Sequence, residues 1–223
     1  MTRTTRTPTI LLTGFEPFDT DPVNPSWEIA KALNGEHIAG GVVQSVQLPC
    51  VFGASMHQLS AALREHQPQL VICLGLAGGR SEITPERVAI NIDDARIPDN
   101  ADAQPVDAPV VPGAPSAYFS TLPIKAMVQA VRDAGVPAAV SNTAGTFVCN
   151  HIFYALMHQL AQPGNASGVR GGFVHVPALP EQVTGKPGMP SMALATQVAG
   201  MRAAIAAAMT THKDLHVNAG QLH

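Results

Sequence analysis

Short apolar runs alternate with longer segments of helical periodicity along the whole chain. A continuous apolar run of roughly 4–8 residues is typical of a strand that is buried on both faces. Strands that alternate with helices favour a mainly parallel sheet with helices on both faces. The pattern therefore predicts one α/β domain over residues 9–212. The predicted strands are 9–13, 42–48, 69–75, 137–141 and 172–176, and the predicted helices are 25–34, 52–66, 122–134, 148–160 and 191–211.

Helix boundaries are marked by residue types with known cap preferences. Asn24 supplies a capping side chain directly before Pro25, which suits the first helical position, and Gly35 follows the end of this helix. The helix at 122–134 is the clearest, because its apolar residues recur at helical spacing. These apolar residues are Ile124, Met127, Val128, Val131 and Ala134.

A proline-rich segment from 97 to 123 interrupts the alternation. It contains six prolines and has no helical periodicity. A loop of this length inside a compact domain is more often a functional flap or a subunit contact than an idle connection. We expect it to hold a short hairpin around Val110–Val111 and Tyr118–Phe119.

Charge and cysteine content exclude several classes of protein. The 13 basic and 16 acidic side chains give a net charge of −3, without the clustered basic residues that nucleic-acid binding requires. The longest apolar stretch, 192–209, contains Gln197 and Arg202, which favours a packed helix over a membrane span. Residues 1–8 lack the apolar core of a signal peptide and are predicted as a flexible arm, and 213–223 as a polar tail. The three cysteines are widely spaced, so neither a disulfide framework nor a cysteine-rich metal site is expected, and the compartment is predicted to be the cytoplasm.

Cys149 stands where a thiol could act as a nucleophile. It follows the loop SNTAGTF and opens the helical run VCNHIFYALMHQL. The positive end of a helix favours a thiolate, and its free amides can stabilise an oxyanion. The alternative is a small core residue, which is the more common role of a cysteine beside an apolar neighbour. Cys73, inside the apolar run VICLG, fits that structural role, and Cys50 at a strand end is ambiguous.

A cysteine nucleophile needs a base, and the base needs a partner that orients it. His175 is the best-placed of the nine histidines, because it ends an apolar strand, where open α/β sheets carry their sites. A histidine in such a strand is nevertheless more often structural. The candidate carboxylates crowd into one segment and cannot be separated by spacing; they are Glu82, Glu86, Asp93, Asp94 and Asp99. The residues alone thus predict a hydrolase of the cysteine–histidine–carboxylate type.

Four blocks of sequence occur together in a characteristic order. They are LLTGFEPFDTDPVNPSWEIAKAL, GLAGGRSEITPERVAINIDDARIPDN, SNTAGTFVCNHIFYALMH and GGFVHVPALPEQ. Together they resemble the pyrrolidone-carboxyl peptidase family, also called pyroglutamyl peptidase type I, over nearly the whole chain. The resemblance implies a three-layer α/β/α sandwich with a twisted, mainly parallel sheet. The predicted hairpin is a small excursion from this sandwich. It also implies a cytosolic homotetramer that uses no metal or cofactor.

The resemblance assigns roles that spacing leaves open. It implies that Cys149, in the segment TFVCNHIFY, is the nucleophile and that His175, in FVHVPALPEQ, is the base. It favours Glu86, in ITPERVAIN, over Glu82 as the carboxylate that orients the imidazole. The activity implied is hydrolysis of the bond after an N-terminal pyroglutamyl residue through a thioester acyl-enzyme.

The pyroglutamyl ring would need an apolar slot and partners for its lactam N–H and C=O, since burying these unpaired costs ~1–3 kcal/mol. Asn24 resembles a family substrate residue and is also a helix cap by sequence. Arg96 is a candidate for supporting the oxyanion, or else pairs with neighbouring aspartates. Leu76 stands where the family often has Gln, so a polar contact to the ring is missing or replaced. The resemblance places ring contacts on Phe15, Phe18, Ile97, Phe147 and Val148.

Two other classes of function are compatible with an open α/β/α fold. A nucleoside phosphorylase or an inactive binding relative would use no thiol nucleophile. A purely structural subunit would carry the cysteine, histidine and glutamate by accident. Thiol alkylation and detection of an acyl-enzyme distinguish these from the peptidase.

Overall fold

A six-stranded sheet forms the centre of the protein. The structure, a computed structural model, describes residues 7–164 and 168–220. The strands are β1 (Thr9–Phe15), β2 (His37–Ile38), β3 (Gly41–Leu48), β4 (Leu70–Leu76), β5 (Thr84–Pro85), β6 (Val88–Ile90), β7 (Ala117–Phe119) and β8 (Arg170–Val176). The order in the main sheet is β2-β3-β1-β4-β8-β5, while β6 and β7 form a separate pair. The four long inner strands are parallel, and the two-residue strands at both edges are antiparallel to their neighbours.

Helices cover both faces of the main sheet. The helices are α1 (Pro25–Leu33), α2 (Ala54–His66), α3 (Ile124–Asp133), α4 (Val148–Ala161), α5 (Pro180–Val183) and α6 (Leu194–Thr210). The core against α1, α3 and α6 includes Ile29, Met127 and Ile205, and the core against α2 and α4 includes Leu59 and Phe153. Because helices cover both faces, all seven residues of β1 are buried, which explains why the strand has no charged side chain. The predicted single α/β domain with a mainly parallel sheet is confirmed.

The strand predicted at 137–141 is not a regular strand. This segment runs parallel to the chain after β4, with isolated bridges between Ile83 and Ala138 and between Glu86 and Ser141. The Ile83 and Arg87 amides donate to the carbonyls of 137 and 141, and the amides of 139 and 141 donate to the carbonyls of 83 and 85. Pro85 has no N–H to donate between these bonds, so the ladder is interrupted at its position.

The predicted hairpin has a different partner strand. Tyr118 lies in β7, which pairs with β6 through the register Ala89–Tyr118 rather than with the segment around Val110–Val111. The side chain of Asn91 instead binds that segment: it accepts from the Val111 amide and donates to the Val111 carbonyl at 2.9 Å each. Local apolar pattern predicted a strand at Tyr118–Phe119, but it did not reveal this long-range pairing.

Several terminal features position the helices. The Asn24 side chain accepts from the Ser26 amide at 3.1 Å, so the predicted cap of α1 is confirmed. The segment after α6 packs on α3, where Asp214 accepts from the amides of Lys125 and Ala126.

Residues 1–6 of the predicted arm and 221–223 of the predicted tail lie outside the described residues. In the described parts of the chain, no helix has the length and apolar character needed to cross a membrane.

Candidate active site

Cys149 is the second residue of α4, after the N-cap residue Phe147. The first backbone bond of the helix runs from the His151 amide to the Phe147 carbonyl at 3.1 Å. The amides of residues 148–150 therefore have no acceptor within the helix. Such amides, at the positive end of the helix, can receive an oxyanion formed next to the sulfur.

Gly75 brings the sulfur close to the sheet. A Cβ placed on Gly75 would lie only 2.7 Å from Sγ of Cys149, so the thiol packs where any other residue would project a side chain. Gly75 pairs with His175 across β4 and β8. Residues paired on neighbouring strands project to the same face of a sheet. His175 thus projects to the face on which the Cys149 sulfur lies.

A buried carboxylate orients the imidazole of His175. Nδ1 of His175 lies 2.7 Å from Oε1 of Glu86, and the two residues are 4% and 0% exposed. Glu86 directly follows β5, which pairs with β8, so the two strands hold this contact in register. Glu82 is half-buried at the start of the same segment and is not the residue that meets the imidazole. With Nδ1 bound to the carboxylate, Nε2 is the nitrogen left to exchange a proton with the thiol.

Arg80 is a residue of this site that sequence reasoning missed. Its Nη1 donates to Oε1 of Glu86 at 2.7 Å and to Oγ1 of Thr84 at 2.6 Å. Its Nη2 donates to the carbonyl of Thr143, in the loop before α4, at 3.1 Å. The signal in the sequence was an arginine six residues before Glu86, but spacing alone does not show which carboxylate an arginine meets.

Burial shifts the pKa values of the reactive pair. Desolvation raises the pKa of the Cys149 thiol, the nearby Cys50 and Glu86 add to this, and Arg80 opposes it. Desolvation also lowers the pKa of His175, and its hydrogen bond with Glu86 only partly opposes the shift. Burial of the sulfur thus acts against the helix end, which favours a thiolate. Both shifts favour the neutral thiol and the neutral imidazole over the ion pair.

The other two thiols have no comparable environment. Cys73 is fully buried in β4, and Cys50 is 6% exposed after β3. Burial raises the pKa of each thiol to about 12. Neither is placed at a helix N-terminus, so both fit a structural role. Across residues 7–164 and 168–220, no group of three histidine, cysteine or acidic side chains is arranged to hold a metal ion.

Three aromatic rings form an apolar wall beside α4. The ring centroid of Phe147 lies 5.3 Å from that of Phe18 and 5.4 Å from that of Phe52, the latter edge to face. All three rings are partly buried, whereas Phe15 and Val148 are 2% and 0% exposed and pack behind them in the core. Phe52 was not predicted. Its position shortly after a strand end, in a chain with only seven phenylalanines, was the signal that could have found it.

Two carboxylates, the buried Asp99 and the half-buried Glu16, tie the loops of this aromatic wall together. Oδ2 of Asp99 accepts from the Phe52 amide at 2.8 Å, and its Oδ1 accepts from two amides of its own loop. Oε1 of Glu16 accepts from the Cys50 amide and from Nδ2 of Asn100, at 3.0 and 2.9 Å. The loops after β1 and β3 and the loop that carries Ile97 are thereby held in one arrangement.

The other predicted ring contacts lie around this wall. Asn24 is 6% exposed; its Oδ1 caps α1 and its Nδ2 donates to the Glu16 carbonyl at 3.0 Å, which uses one of the two N–H groups on that nitrogen. Ile97 is half-buried and Arg96 is exposed. Within the described ranges Arg96 makes no ion pair, so the alternative in which it pairs with neighbouring aspartates is not what the structure has. Leu76 ends β4 and is half-buried.

His151, two residues after the thiol, belongs to the support of this wall. Its Nε2 accepts from the Gly53 amide at 3.1 Å, so the proton is on Nδ1, which lies 2.8 Å from Oδ2 of Asp93. Its ring packs edge to face on Phe52 at 5.4 Å. Since both nitrogens are engaged, His151 positions Phe52 and is not the base.

An α/β domain that holds a thiol at a helix N-terminus beside a histidine–carboxylate pair has the design of a cysteine hydrolase. Comparison with known proteins narrows this class. The pyroglutamyl peptidase family model matches residues 8–211. The pyrrolidone-carboxylate peptidase of Cupriavidus taiwanensis is 58% identical over 216 residues, which is 97% of this chain and 100% of the relative. That of Klebsiella pneumoniae is 57% identical over 96% of this chain and 99% of the relative.

Solved structures agree with the sequence comparisons. Pyroglutamyl peptidase I from Bacillus amyloliquefaciens superposes with a TM-score of 0.92 at 45% identity, covering 96% of this chain and 100% of that chain. Pyrrolidone carboxyl peptidase from Thermococcus litoralis gives a TM-score of 0.87 at 39% identity, covering 91% of this chain and 93% of that chain. The chain belongs to the pyroglutamyl peptidase family, and it is a hydrolase of the thiol-protease type. The resemblance of the four sequence blocks is thereby confirmed.

Proposed function

We propose that this protein removes an N-terminal pyroglutamyl residue from blocked peptides, with Cys149 as nucleophile, His175 as general base and acid, and Glu86 as the orienting carboxylate. The observation that carries the proposal is the contact between His175 and the buried Glu86 at 2.7 Å, on the strand beside the glycine that receives the Cys149 sulfur. These contacts give His175 the carboxylate that a base requires, and they bring the Cys149 sulfur to the residue that pairs with His175.

The reaction proceeds by two acyl transfers. As the sulfur bonds to the pyroglutamyl carbonyl carbon, the thiol proton passes to Nε2 of His175, and the carbonyl electrons move to the oxygen. The amides at the start of α4 receive this oxyanion. Its collapse breaks the C–N bond, and the leaving amine takes the proton from His175. Water then attacks the thioester while His175 accepts its proton, and the sulfur leaves with that proton as the thiol is restored.

The substrate ring occupies the aromatic wall beside the nucleophile. Phe18 and Phe147 contact its methylene face, and half-buried Ile97 forms a further part of the slot. The side chains of Phe15 and Val148 are too buried for the ring contacts predicted for them and support the wall from behind. The second N–H on Nδ2 of Asn24 is available to a lactam oxygen, and exposed Arg96 lies on the loop at the slot entrance. The lactam is neutral, so it enters such a slot without the large desolvation cost of a free α-ammonium group.

The proposal extends to assembly and compartment. We infer a homotetramer that works in the cytoplasm without a metal or cofactor and without nucleic-acid or membrane partners. Free thiols at all three cysteines suit a reducing compartment. Phe119 and Val106 are 70% and 71% exposed, and apolar side chains this exposed in and near the proline-rich segment suit a subunit contact. Sedimentation velocity tests the assembly directly, since a monomer at micromolar concentration contradicts it.

Turnover of a fluorogenic pyroglutamyl amide tests the activity, with the matching prolyl amide as a control for ring recognition. Cys149→Ala should abolish release of the amine, whereas Cys50→Ala should retain it. Intact mass after rapid acid quench should show the wild-type chain carrying one pyroglutamyl group and Cys149→Ala carrying none. Equal turnover of the prolyl amide, or substantial turnover by Cys149→Ala, contradicts the proposal.

A further inference from the structure

The carboxylate of Glu86 makes both of its polar contacts through one oxygen. Oε1 receives Nη1 of Arg80 and Nδ1 of His175, each at 2.7 Å. Oε2 is buried and has no hydrogen-bond partner among the described residues. The orientation of the carboxylate, and with it that of the imidazole, is therefore set by the two donors that meet at Oε1.

Arg80 supplies the only guanidinium in contact with this carboxylate within the described ranges. Glu86 is fully buried, and a buried carboxylate without a cationic partner carries a large desolvation cost. The Arg80 side chain is 28% exposed, so its head group remains partly hydrated while it contacts the buried oxygen. A neutral imidazole alone cannot provide this compensation.

The remaining contacts of Arg80 link the two halves of the site. It bonds Thr84, which precedes Glu86 by two residues in β5, and the Thr143 carbonyl, which lies six residues before the nucleophile. We propose that Arg80 is a positioning residue that keeps the Glu86 carboxylate aimed at His175 and holds the loop before Cys149 next to it. The effect of this positioning on catalysis rests on the proposed function.

Two charged groups act on His175 and decide which way its pKa moves: Glu86 and Arg80. The thiol of Cys149, on α4, is affected by the same two groups and by the thiols of Cys50 and Cys73. The positive charge of Arg80 lowers the pKa of both His175 and Cys149. Its removal should therefore raise both, which moves the acid and the alkaline limbs of the kcat/KM profile to higher pH.

Three variants separate the effect of the Arg80 charge from that of its packing. They are Arg80→Met, Arg80→Lys and the control Arg87→Met. Arg87 is one residue past Glu86, but it bonds the Asn142 side chain and the Ala219 carbonyl instead of the carboxylate. Arg80→Met should lower kcat/KM by at least ~10-fold, or roughly 1.4 kcal/mol of transition-state stabilisation. It should also shift the acid limb upward. Arg80→Lys should return the limb towards its wild-type position, and Arg87→Met should change neither quantity. An Arg80→Met variant with an unshifted limb and a loss no greater than that of Arg87→Met overturns the proposal.

A double-mutant cycle with Glu86→Gln tests whether Arg80 acts through Glu86. The Glu86→Gln background removes the buried charge, so loss of Arg80 leaves no unpaired carboxylate there and the double variant should fold. Adding Arg80→Met to Glu86→Gln should lower kcat/KM by less than ~3-fold, because coupled residues are not additive. An equal loss in both backgrounds shows that Arg80 acts independently of Glu86 and refutes the role proposed for it.

Alkylation of Cys149 by iodoacetamide gives a readout that needs no substrate. The modified cysteine is identified by peptide mass mapping, and its rate is measured against pH. Arg80→Met should shift this profile to higher pH, and Arg80→Lys should restore it. If the wild-type chain fails to hydrolyse the pyroglutamyl amide, the proposed function fails, while the alkylation profile still decides whether Arg80 controls the charge of the site. An identical alkylation profile in wild type and Arg80→Met contradicts the inference.

Discussion

A methyl group added to Gly75 tests how closely the nucleophile is packed on the sheet. The Cβ of Gly75→Ala would lie 2.7 Å from Sγ of Cys149 and 2.7 Å from Cζ of Phe173. Favourable contacts between such atoms are at about 3.5–4.0 Å, so each neighbour would have to retreat by roughly 1 Å. Phe173 is fully buried in β8, whereas the sulfur ends a side chain with a single rotatable bond. The sulfur should therefore move first.

The magnitude of the effect follows from this displacement. Overpacking of a well-filled core costs about 1–3 kcal/mol, which a protein of ordinary stability survives. Misplacement of a reacting atom by about 1 Å can cost ~100-fold in rate. Gly75→Ala should thus lower kcat/KM for the pyroglutamyl amide by roughly 100-fold while the protein still unfolds cooperatively.

The control is Gly78→Ala, three residues along the same chain segment. A Cβ on Gly78 would have Met189 Cε as its nearest neighbour, at 3.9 Å, which is ordinary contact. Urea unfolding and steady-state kinetics of both variants give the comparison. Gly78→Ala should match the wild type in both measurements. If Gly75→Ala kept the kcat/KM of the wild type, the close approach of the sulfur to the strand would be refuted. If both variants lost kcat/KM equally, the loss would not be specific to Gly75.

Three further predictions concern the same site. Glu86→Gln should lower kcat/KM less than His175→Ala, because the carboxylate orients and stabilises the base without touching substrate; a larger loss in Glu82→Gln would show that the wrong carboxylate was assigned. Phe52→Ala should raise KM by roughly 2- to 12-fold, as expected for loss of about 0.5–1.5 kcal/mol of aromatic contact, while exposed Phe119→Ala should leave KM unchanged. Since burial lowers the pKa of His175, the acid limb of the wild-type kcat/KM profile should lie below the ordinary imidazole value of about 6.5, and a limb above it contradicts a neutral resting base.

Much of the fold follows from local pattern. The apolar runs predicted the four long strands, and Asn24 with Pro25 predicted the start of α1. Pattern failed where pairing is not local. The segment 137–141 has the composition of a strand, but Pro85 in its partner segment interrupts the hydrogen-bond ladder. Strand β7 pairs with β6 instead of the segment around Val110–Val111. These pairings depend on which segments the sheet brings together.

The proposed site was predictable in its residue types and less so in its electrostatics. The position of Cys149 at a helix start and of His175 at a strand end could be read from the sequence, and family resemblance preferred Glu86 over Glu82. The contacts of Arg80 and Phe52 could not be found in this way. Spacing does not show which carboxylate Arg80 meets, and Phe52 and Phe147 lie far apart in the sequence. The sequence also shows the helix end, which favours a thiolate, but it does not show the desolvation of the sulfur, which opposes one.

Desolvation of the resting thiol is compatible with catalysis because the compensating charges are already in place. Arg80 and Glu86 are paired before substrate arrives, so the proton transfer from Cys149 places an imidazolium 2.7 Å from a carboxylate that is already oriented. The oxyanion forms at the same time beside the free amides of α4. Both attractions are weak while thiol and imidazole are neutral, and both are strengthened by the low dielectric that favours the neutral forms. Burial therefore disfavours the thiolate–imidazolium pair at rest. During the reaction it strengthens the contact of the imidazolium with Glu86 and that of the oxyanion with the α4 amides, which is where binding energy raises kcat.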